Sequence, residues 1–361
     1  MSAPRQTPPR RPTLRDVAER AGVSTSTASL VFSGKGPVAD ATAERVRAAA
    51  EELAYAGPDP LASSLRHGRV GTIAVIVEGP LQYAFSDPFA LGILDGLARE
   101  LDAAGRTMLL VAQPADDPER AVAQLATQAV DAAVFPLCGD RDNPVVAHLV
   151  ARGIPLVGSG APVDPHVVHV LTDEHAAMGL TTAHVLELGH TRLGHLSMPL
   201  SPGTSTAVVG PREVSAARFP DAALRVAGFQ ALAGLGAPVV AAADLSVAAG
   251  EAAAHLLLDV APERRPSAIV AQADLLAAGA LRAAESLGLR VPQDLSVTGF
   301  DGVVLPWLDH VLTTVVQPGP EKGARMGHLV RLLLEGETPR DEPFPVWLRV
   351  GTTTSSPPSA R

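Results

Sequence analysis

The N-terminal part of the chain shows a helical spacing of apolar residues. Four of them recur at i, i+3, i+4 and i+7 and form one face of a short helix: Leu14, Val17, Ala18 and Ala21. Thr13 stands three residues before Asp16, which resembles the capping box that starts such a helix. Gly22 is a residue type that ends one. The pattern therefore predicts a short helix between Thr13 and Gly22.

A second and a third helix follow. Ser24 can cap the second helix, in which Ala28 and Val31 point inward while the outer face is rich in hydroxyls. Two short helices joined by a glycine-containing turn make a helix-turn-helix. A third helix begins near Asp40 and closes a small core. We therefore expect an all-α domain at residues 13–57, after a disordered arm at residues 1–12 that is rich in proline and arginine.

From residue 70 onward, continuous apolar strands alternate with amphipathic helices. The first round predicts strands at 71–77, 107–112, 132–137 and 154–158, with helices at 87–104, 117–128 and 143–152. A second round begins after about Pro162, with strands at 193–198, 239–242, 268–271 and 295–299, and helices at 176–188, 222–235, 248–258 and 275–287. Such strands indicate parallel sheets that are covered on both faces. Residues 70–350 are therefore predicted to form an α/β core of two doubly wound parallel-sheet lobes.

Two doubly wound lobes leave a cleft between them. Open α/β sheets bind ligands at the carboxyl ends of their strands, so we expect a ligand in this cleft. The Pro/Ser/Thr-rich residues 351–361 are expected to form a flexible tail.

Several motifs lie in an order and spacing that resemble the lactose-repressor family of bacterial regulators. In the N-terminal domain they are Thr13-Leu-Arg-Asp-Val-Ala, Ala21-Gly-Val-Ser, Thr27-Ala-Ser and Glu52-Leu-Ala-Tyr55. In the core they include Asp87-Pro-Phe89, Leu188-Gly-His190, Arg225-Val-Ala-Gly-Phe229, Ser296-Val-Thr-Gly-Phe-Asp301 and Leu312-Thr-Thr-Val-Val-Gln-Pro318. The resemblance covers roughly residues 13–350. It implies a helix-turn-helix DNA-binding domain and an effector-binding core that is itself similar to periplasmic sugar-binding proteins.

The segment at residues 58–69 matches the hinge helix of the family. The resemblance implies that it orders when two copies pair in the minor groove of an operator, and Leu65 matches the leucine that is inserted between base steps. Residues 61–66 are too few to form a stable helix alone. The alternative is a plain linker that contains a leucine.

The resemblance also implies which residues contact DNA. Thr25 and Ser26 match the two principal base-reading positions of the second helix, and Leu30 matches a third. Hydroxyls are permissive readers, so the operator sequence stays open. Ser24 and Ser29 are better placed for phosphates. The full set expected at DNA is Thr13, Leu14, Ser24, Thr25, Ser26, Ser29, Leu30, Ser33 and Leu65.

A second set of residues is expected at the effector. By resemblance it consists of Phe89, Arg225, Gln272, Asp301 and Gln317. A guanidinium and a carboxylate can each engage two oxygens, which suits a polyhydroxylated ligand. The alternative is an Arg225–Asp301 pair that holds the lobes together. Ala273 stands where the family usually has Asn, so a sugar is only the default, and another small metabolite or no ligand remains open.

Composition agrees with this division of the chain. The 361 residues carry a net charge of −9, but residues 1–70 hold 10 Lys and Arg against 7 Asp and Glu, so the rest carries −12. The part of the chain that contains the predicted helix-turn-helix is therefore the basic part. Cys138 is the single cysteine, which excludes an internal disulfide and suits a small buried residue in a reducing compartment.

Other classes of protein fit the sequence less well. Residues 1–12 have no apolar signal region and no run is long enough to span a bilayer, so we expect a cytoplasmic protein rather than an exported binding protein or a membrane protein. Nucleotide-binding and hydrolase motifs are absent from the sequence, which argues against an enzyme. Six histidines fall close together but lack metal-ligand spacing: His166, His169, His175, His184, His190 and His195. We therefore expect neither metal nor cofactor.

The sequence thus indicates a ligand-responsive transcriptional regulator, most simply a repressor. It is expected to bind double-stranded operator DNA as a homodimer on a near-palindromic site. Whether the effector induces or corepresses is left open by the residues.

Overall fold

The computed structural model describes residues 12–33, 36–57 and 69–358. The chain divides into two compact units, Met1–Val70 and Gly71–Arg361. Leu65 and the rest of the predicted hinge up to residue 68 lie outside the described residues, as do the arm up to residue 11 and residues 359–361.

The N-terminal unit contains three helices in its described part. They are α1 (Leu14–Ala21), α2 (Thr25–Ser33) and α3 (Asp40–Glu52). The capping box of α1 is present, since the Thr13 amide donates to Asp16 Oδ2 at 2.7 Å and the Thr13 hydroxyl accepts from the Asp16 amide at 3.3 Å. Gly22 ends α1 with a φ of 67°, which only glycine adopts without cost. The local sequence therefore fixes both ends of the first helix.

A small aliphatic core holds the three helices together. Its buried members come from all three: Val17, Ala18, Ala28, Val46, Ala49 and Ala50. Phe32 packs edge-on against Tyr55 with ring centroids 5.5 Å apart, which covers one end of this core. The predicted helix-turn-helix fold is confirmed.

The first lobe of the second unit is built on a six-stranded parallel sheet. Its strands are β1 (Thr72–Glu78), β2 (Thr107–Gln113), β3 (Ala132–Phe135), β4 (Leu156–Gly158), β5 (Val167–Leu171) and β12 (Glu342–Pro343), in the spatial order β12-β5-β4-β3-β1-β2. Its helices are α4 (Leu81–Ser86), α5 (Pro88–Ala103), α6 (Glu119–Ala126), α7 (Pro144–Ala151) and α13 (Gly319–Glu335). Buried side chains cover both faces of the sheet, which explains the continuous apolar strands.

The second lobe is built on a seven-stranded sheet. Its strands are β6 (Leu193–Ser197), β7 (Ala207–Val209), β8 (Val239–Ala241), β9 (Ala268–Ala271), β10 (Ser296–Asp301), β11 (Thr313–Val316) and β13 (Trp347–Arg349), in the order β13-β11-β10-β9-β6-β8-β7. Its helices are α8 (Glu174–Glu187), α9 (Pro211–Ser215), α10 (Pro220–Ala233), α11 (Val247–Leu258) and α12 (Asp274–Ser286). The edge strands β7 and β13 are antiparallel and the others parallel. The predicted architecture of two doubly wound lobes is confirmed.

The chain passes between the lobes three times. It crosses after β5 into α8, returns after β11 into α13, and crosses again after β12 into β13. The predicted start of the second lobe near Pro162 is therefore too early, because β5 still pairs with β4 of the first sheet. Gln317 lies on the returning crossover, as predicted. Three crossovers leave two lobes joined by short segments, an arrangement that allows hinge closure.

Residues 351–358 do not form the flexible tail that the sequence predicts. Thr353 is fully buried; its hydroxyl accepts from the Thr313 amide at 2.9 Å and its carbonyl from the Val297 amide at 2.9 Å. Further on, His190 Nε2 lies 2.9 Å from the Ser355 carbonyl oxygen. The polar composition that suggested a loose end instead supplies hydrogen bonds to β10 and β11 of the second lobe.

Candidate DNA-binding surface and effector cleft

The expected base-reading residues lie on the outer face of α2. Thr25 and Ser26 are exposed, and Leu30 is 37% exposed. The Ser24 hydroxyl lies 2.8 Å from that of Thr27 and accepts from the Thr27 amide at 3.1 Å, so it caps the helix. Ser29 is half-buried on the same helix. A helix that presents short polar side chains from its first turn is suited to a nucleic-acid groove.

The other expected DNA residues differ in their surroundings. Thr13 is exposed but its hydroxyl is engaged by Asp16, and half-buried Leu14 packs against the core of the N-terminal unit. Ser33 ends α2, and its side chain lies outside the described residues together with Leu65. The structure thus brings Thr25, Ser26 and Leu30 together, and the contacts of all nine residues with DNA stay predictions.

A cavity of about 430 Å³ lies between the two lobes. Its lining comes from the carboxyl ends of strands in both sheets, including Glu78 at the end of β1 and Gln113 at the end of β2. From the second lobe, Met198 follows β6 and Asp244 follows β8. This is the edge at which open α/β sheets bind ligands, and its volume suits a small metabolite.

The first-lobe wall of the cavity is organised around Glu78. Its Oε1 accepts from Asn143 Nδ2 at 2.7 Å and its Oε2 from the Asp140 amide at 2.8 Å. Asn143 Nδ2 also donates to Gln113 Oε1 at 2.8 Å. Gly139 makes room for this carboxyl, because a Cβ there would lie 2.5 Å from Glu78 Oε1. Burial raises the pKa of Glu78 to about 7, although the hydrogen bonds from the Asp140 amide and from Asn143 oppose the increase.

An ion pair joins the lobes across the cavity. Arg218, just before α10 of the second lobe, donates to Asp140 of the first lobe, and both residues line the cavity. Beside this pair, the Arg141 amide donates to the Arg218 carbonyl at 2.9 Å. This ion pair and this main-chain hydrogen bond therefore both join the lobes at the cavity.

Arg225, expected at the effector, is directed into the second lobe. Its Nε donates to Glu174 Oε2 at 2.6 Å and its NH1 to the Gln272 carbonyl at 2.6 Å, while the guanidinium lies 3.7 Å from the centre of the Phe300 ring. Its NH1 also lies 3.8 Å from Met198 Sδ, and Met198 lines the cavity. Arg225 thus lies behind Met198, which forms part of the cavity wall.

Asp301 and Gln317, both expected at the effector, contact each other. Gln317 Nε2 donates to Asp301 Oδ1 at 3.0 Å, and both side chains are buried. Asp301 has a φ of 112°, a strained conformation for a residue with a Cβ. Burial raises its pKa well above the ordinary range, and the Asp274 carboxyl adds to this effect.

Lys322, which the sequence analysis does not single out, lies where the three crossovers meet. Its Nζ donates to Thr172 Oγ1 at 3.1 Å on the first crossover and to Gln317 Oε1 at 3.4 Å on the second. It also lies 5.7 Å from the ring of Phe344 on the third. Burial lowers the pKa of this lysine, which is only 3% exposed. One helical position in α13 therefore contacts every segment that joins the lobes.

Gln272 and Phe89, the other two residues expected at the effector, make contacts inside the lobes. Gln272 Oε1 accepts from the Met198 amide at 3.1 Å, and its Nε2 lies 2.9 Å from His195 Nε2 and 3.1 Å from the Ala222 carbonyl oxygen. Phe89 packs against the core of the first lobe. None of the five expected effector residues is among those that line the cavity, and their contacts with a ligand stay predictions.

The clustered histidines have individual structural surroundings. His195 stacks on Phe229 with ring centroids 4.5 Å apart, and burial lowers its pKa to about 3. His190 bonds to Ser267 and Ser296, and His184 lies 3.0 Å from the Thr354 hydroxyl. Within the described ranges, no three His, Cys, Asp or Glu side chains are gathered as a metal site would require.

Comparisons with known proteins agree with this geometry. Residues 13–57 match the model of bacterial regulatory proteins of the lacI family, and residues 182–354 match a periplasmic binding protein-like domain. An HTH-type transcriptional regulator of Mycolicibacterium smegmatis is 36% identical over 90% of this chain and 91% of its own length. The chain belongs to the LacI family.

Other relatives of this LacI-family chain carry informative descriptions. The HTH-type transcriptional regulator CelR of Thermobifida fusca is 33% identical over 91% of this chain and 94% of its own. A CelR–cellobiose complex superimposes with a TM-score of 0.67 at 30% identity, covering 95% of this chain and all of that one. A lac repressor dimer bound to operator and the anti-inducer ONPF gives a TM-score of 0.75 at 25% identity, covering 96% and 100%. This chain is thus a ligand-responsive DNA-binding transcriptional regulator.

The sequence marks some of the residues that line the cavity of this LacI-family regulator. Glu78 and Gln113 are the first polar residues after two apolar strand runs, so the rule of strand carboxyl ends points to them. Asp140 and Arg218 lie in irregular segments without such a signal.

No helix in the described part of the chain is long and apolar enough to cross a bilayer.

Proposed function

We propose that this regulator represses transcription by binding a near-palindromic operator as a homodimer. Support comes from a helix-turn-helix with polar residues exposed on α2, and from its similarity to the lac repressor, which is described as an operator-bound dimer. A two-fold symmetric protein binds two symmetric half-sites. Operator DNA lies in the cytoplasm, where we propose that the protein acts.

We further propose that a small polyhydroxylated metabolite in the inter-lobe cavity controls this binding. The observation that carries the proposal is the cavity itself, because polar groups of both lobes face it and one ion pair already spans it. A ligand that prefers one arrangement of the lobes shifts the population toward it. The description of CelR with cellobiose supports a sugar-like ligand.

The mechanism couples the lobes to the hinge at residues 58–69. We propose that the lobe arrangement decides whether two hinge segments can pair in the minor groove, where Leu65 separates a base step. An inducer disfavours the paired state and a corepressor favours it. We propose a binding rather than a catalytic role for the cavity, because the similar proteins are named as transcriptional regulators.

The Leu65→Ala variant tests this function. We expect it to lose specific operator affinity by about tenfold or more, because without the inserted leucine the duplex does not kink and the contacts that the bend allows are lost. Weak, salt-sensitive binding to random DNA should persist, because phosphate contacts supply it. The measurement is fluorescence anisotropy with duplexes enriched by the wild-type protein.

The neighbouring Ser64→Ala variant is the matched control and should bind as the wild type does. Equal specific affinity of Leu65→Ala and wild type removes the hinge from the mechanism. Loss of specific binding in both variants contradicts a particular role for the leucine.

A further inference from the structure

The cavity contains a carboxyl group that has no cationic partner among the described residues. Glu78 accepts hydrogen bonds from Asn143 and from the Asp140 amide, yet none of the ion pairs in the described part of the chain includes it. Burial raises its pKa to about 7, and the nearby carboxylates Asp140 and Asp221 add to this effect. A buried carboxylate is stable only when a cation or several donors compensate its charge.

The charges that line the cavity are unequal. Three carboxyl groups face it, from Glu78, Asp140 and Asp244, but Arg218 is the only basic residue among the lining residues. Its guanidinium is bound to Asp140. Among these three carboxyl groups, Asp140 is thus the only one with a cationic partner in the lining, and a cation placed beside Glu78 would favour its ionised form.

The Glu78 carboxyl is built into the site. Gly139 leaves the space that its Oε1 occupies, and Asn143, which caps α7 through the Val145 amide at 2.9 Å, holds it from one side. Two of the acceptor positions of the carboxylate are used by the protein, so others remain for a ligand. Apolar rings of Tyr83 and Phe219 line the same cavity and suit the carbon faces of a small ring.

We infer that the effector carries a protonated amine that pairs with Glu78, which makes an amino sugar a simpler fit than a neutral sugar. This inference rests on the proposed ligand site in the cavity and narrows the class of its ligand. An ammonium group forms a charge-assisted hydrogen bond with a carboxylate, and such bonds are about twice as strong as neutral ones. A desolvated carboxyl gains more from this pairing than an exposed one does.

Two sugars with one skeleton test the inference: the β-1,4-linked glucosamine disaccharide, and cellobiose, which has hydroxyls in place of the amines. Calorimetry with the full chain at pH 6.5, where the amines are protonated, should show at least about tenfold tighter binding of the glucosamine disaccharide. Binding should also release a proton, because pairing ionises Glu78. Titrations in two buffers of different ionisation enthalpy measure that release.

The Glu78→Gln variant should lose both the preference and the proton release. Because glutamine perturbs the bonds to Asn143 and Asp140, the proton release of the wild-type protein is the measurement that does not depend on a variant. Equal affinity for the two sugars, a preference for cellobiose, or binding of neither overturns the amine assignment. Cellobiose binding without a preference leaves the proposed ligand site intact, whereas failure to bind any operator contradicts the proposed function itself.

Discussion

Two arginines close together in the sequence both pair with buried carboxylates but differ in their own exposure. Arg218 is 56% exposed in its side chain and bridges the lobes to Asp140, whereas Arg225 is 3% exposed and binds Glu174 within the second lobe. The first pair exists only while the lobes are close together. The second persists in any arrangement of the lobes, because both of its residues belong to one of them.

The difference separates stability from response. A buried pair costs desolvation on formation and more when one partner is removed, so it fixes the fold of its lobe. A pair whose arginine is exposed contributes less to stability, because water reaches the guanidinium, so it can break and re-form when the lobes move. We therefore assign the control of lobe closure to Arg218–Asp140, and the architecture of the wall behind the cavity to Arg225–Glu174.

The largest expected effect is that of Arg225→Ala. It leaves the Glu174 carboxylate buried without its partner and should destabilise the effector-binding core by about 3–5 kcal/mol. The free energy of unfolding from urea titration measures the loss. Operator binding at temperatures where the core remains folded should persist, since the DNA-reading helix lies in the other unit.

The double variant Arg225→Met, Glu174→Gln sharpens this prediction. It removes both charges and should be less destabilised than Arg225→Ala alone, because no uncompensated charge remains in the lobe. A destabilisation by Arg225→Ala that is no larger than that of Arg218→Ala would erase the distinction between the two pairs.

A smaller effect is expected for Arg218→Ala. The free energy of unfolding should fall by about 1–2 kcal/mol, less than in Arg225→Ala, because the buried Asp140 carboxylate faces the cavity, where water can replace the exposed guanidinium. The Arg141 amide, which donates to the Arg218 carbonyl across the lobes, should exchange with solvent up to about tenfold faster as the lobes open more often. Hydrogen exchange followed by mass spectrometry measures this change.

Arg290→Ala is the matched control for that experiment. Arg290 pairs with Asp294 on the surface of the second lobe, away from the cavity lining. Its loss should leave exchange at Arg141 unchanged. Identical exchange at Arg141 in wild type and Arg218→Ala would show that the pair does not hold the lobes.

The same contrast explains what could be predicted from the sequence. The ends of α1 follow from Thr13, Asp16 and Gly22, which act within one helix, so local pattern was sufficient. Strand β12 has two residues and pairs with β5 far away in sequence, so no local pattern marks it. The pairing of β5 with β4 is likewise not visible in a local pattern, so the predicted border near Pro162 is too early.

The candidate site shows the limit more sharply. Resemblance pointed to Arg225, Asp301 and Gln317 as a group, and the last two do form a hydrogen bond. It could not show that Glu174 occupies the guanidinium, because that partner comes from another helix. Nor could it show Glu78 beside Asn143, since the sheet register brings these distant residues together. Side-chain pairing across long sequence distances decides which residues face the cavity.

The most direct test of the account is selection of duplexes from a random DNA pool by the purified protein, without added metabolites. We predict enrichment of a near-palindrome whose centre is a flexible pyrimidine–purine step, where the proposed symmetric dimer would insert its paired Leu65 side chains. Enrichment of an asymmetric sequence, or of no sequence in the absence and in the presence of a metabolite library, would contradict the proposed repressor.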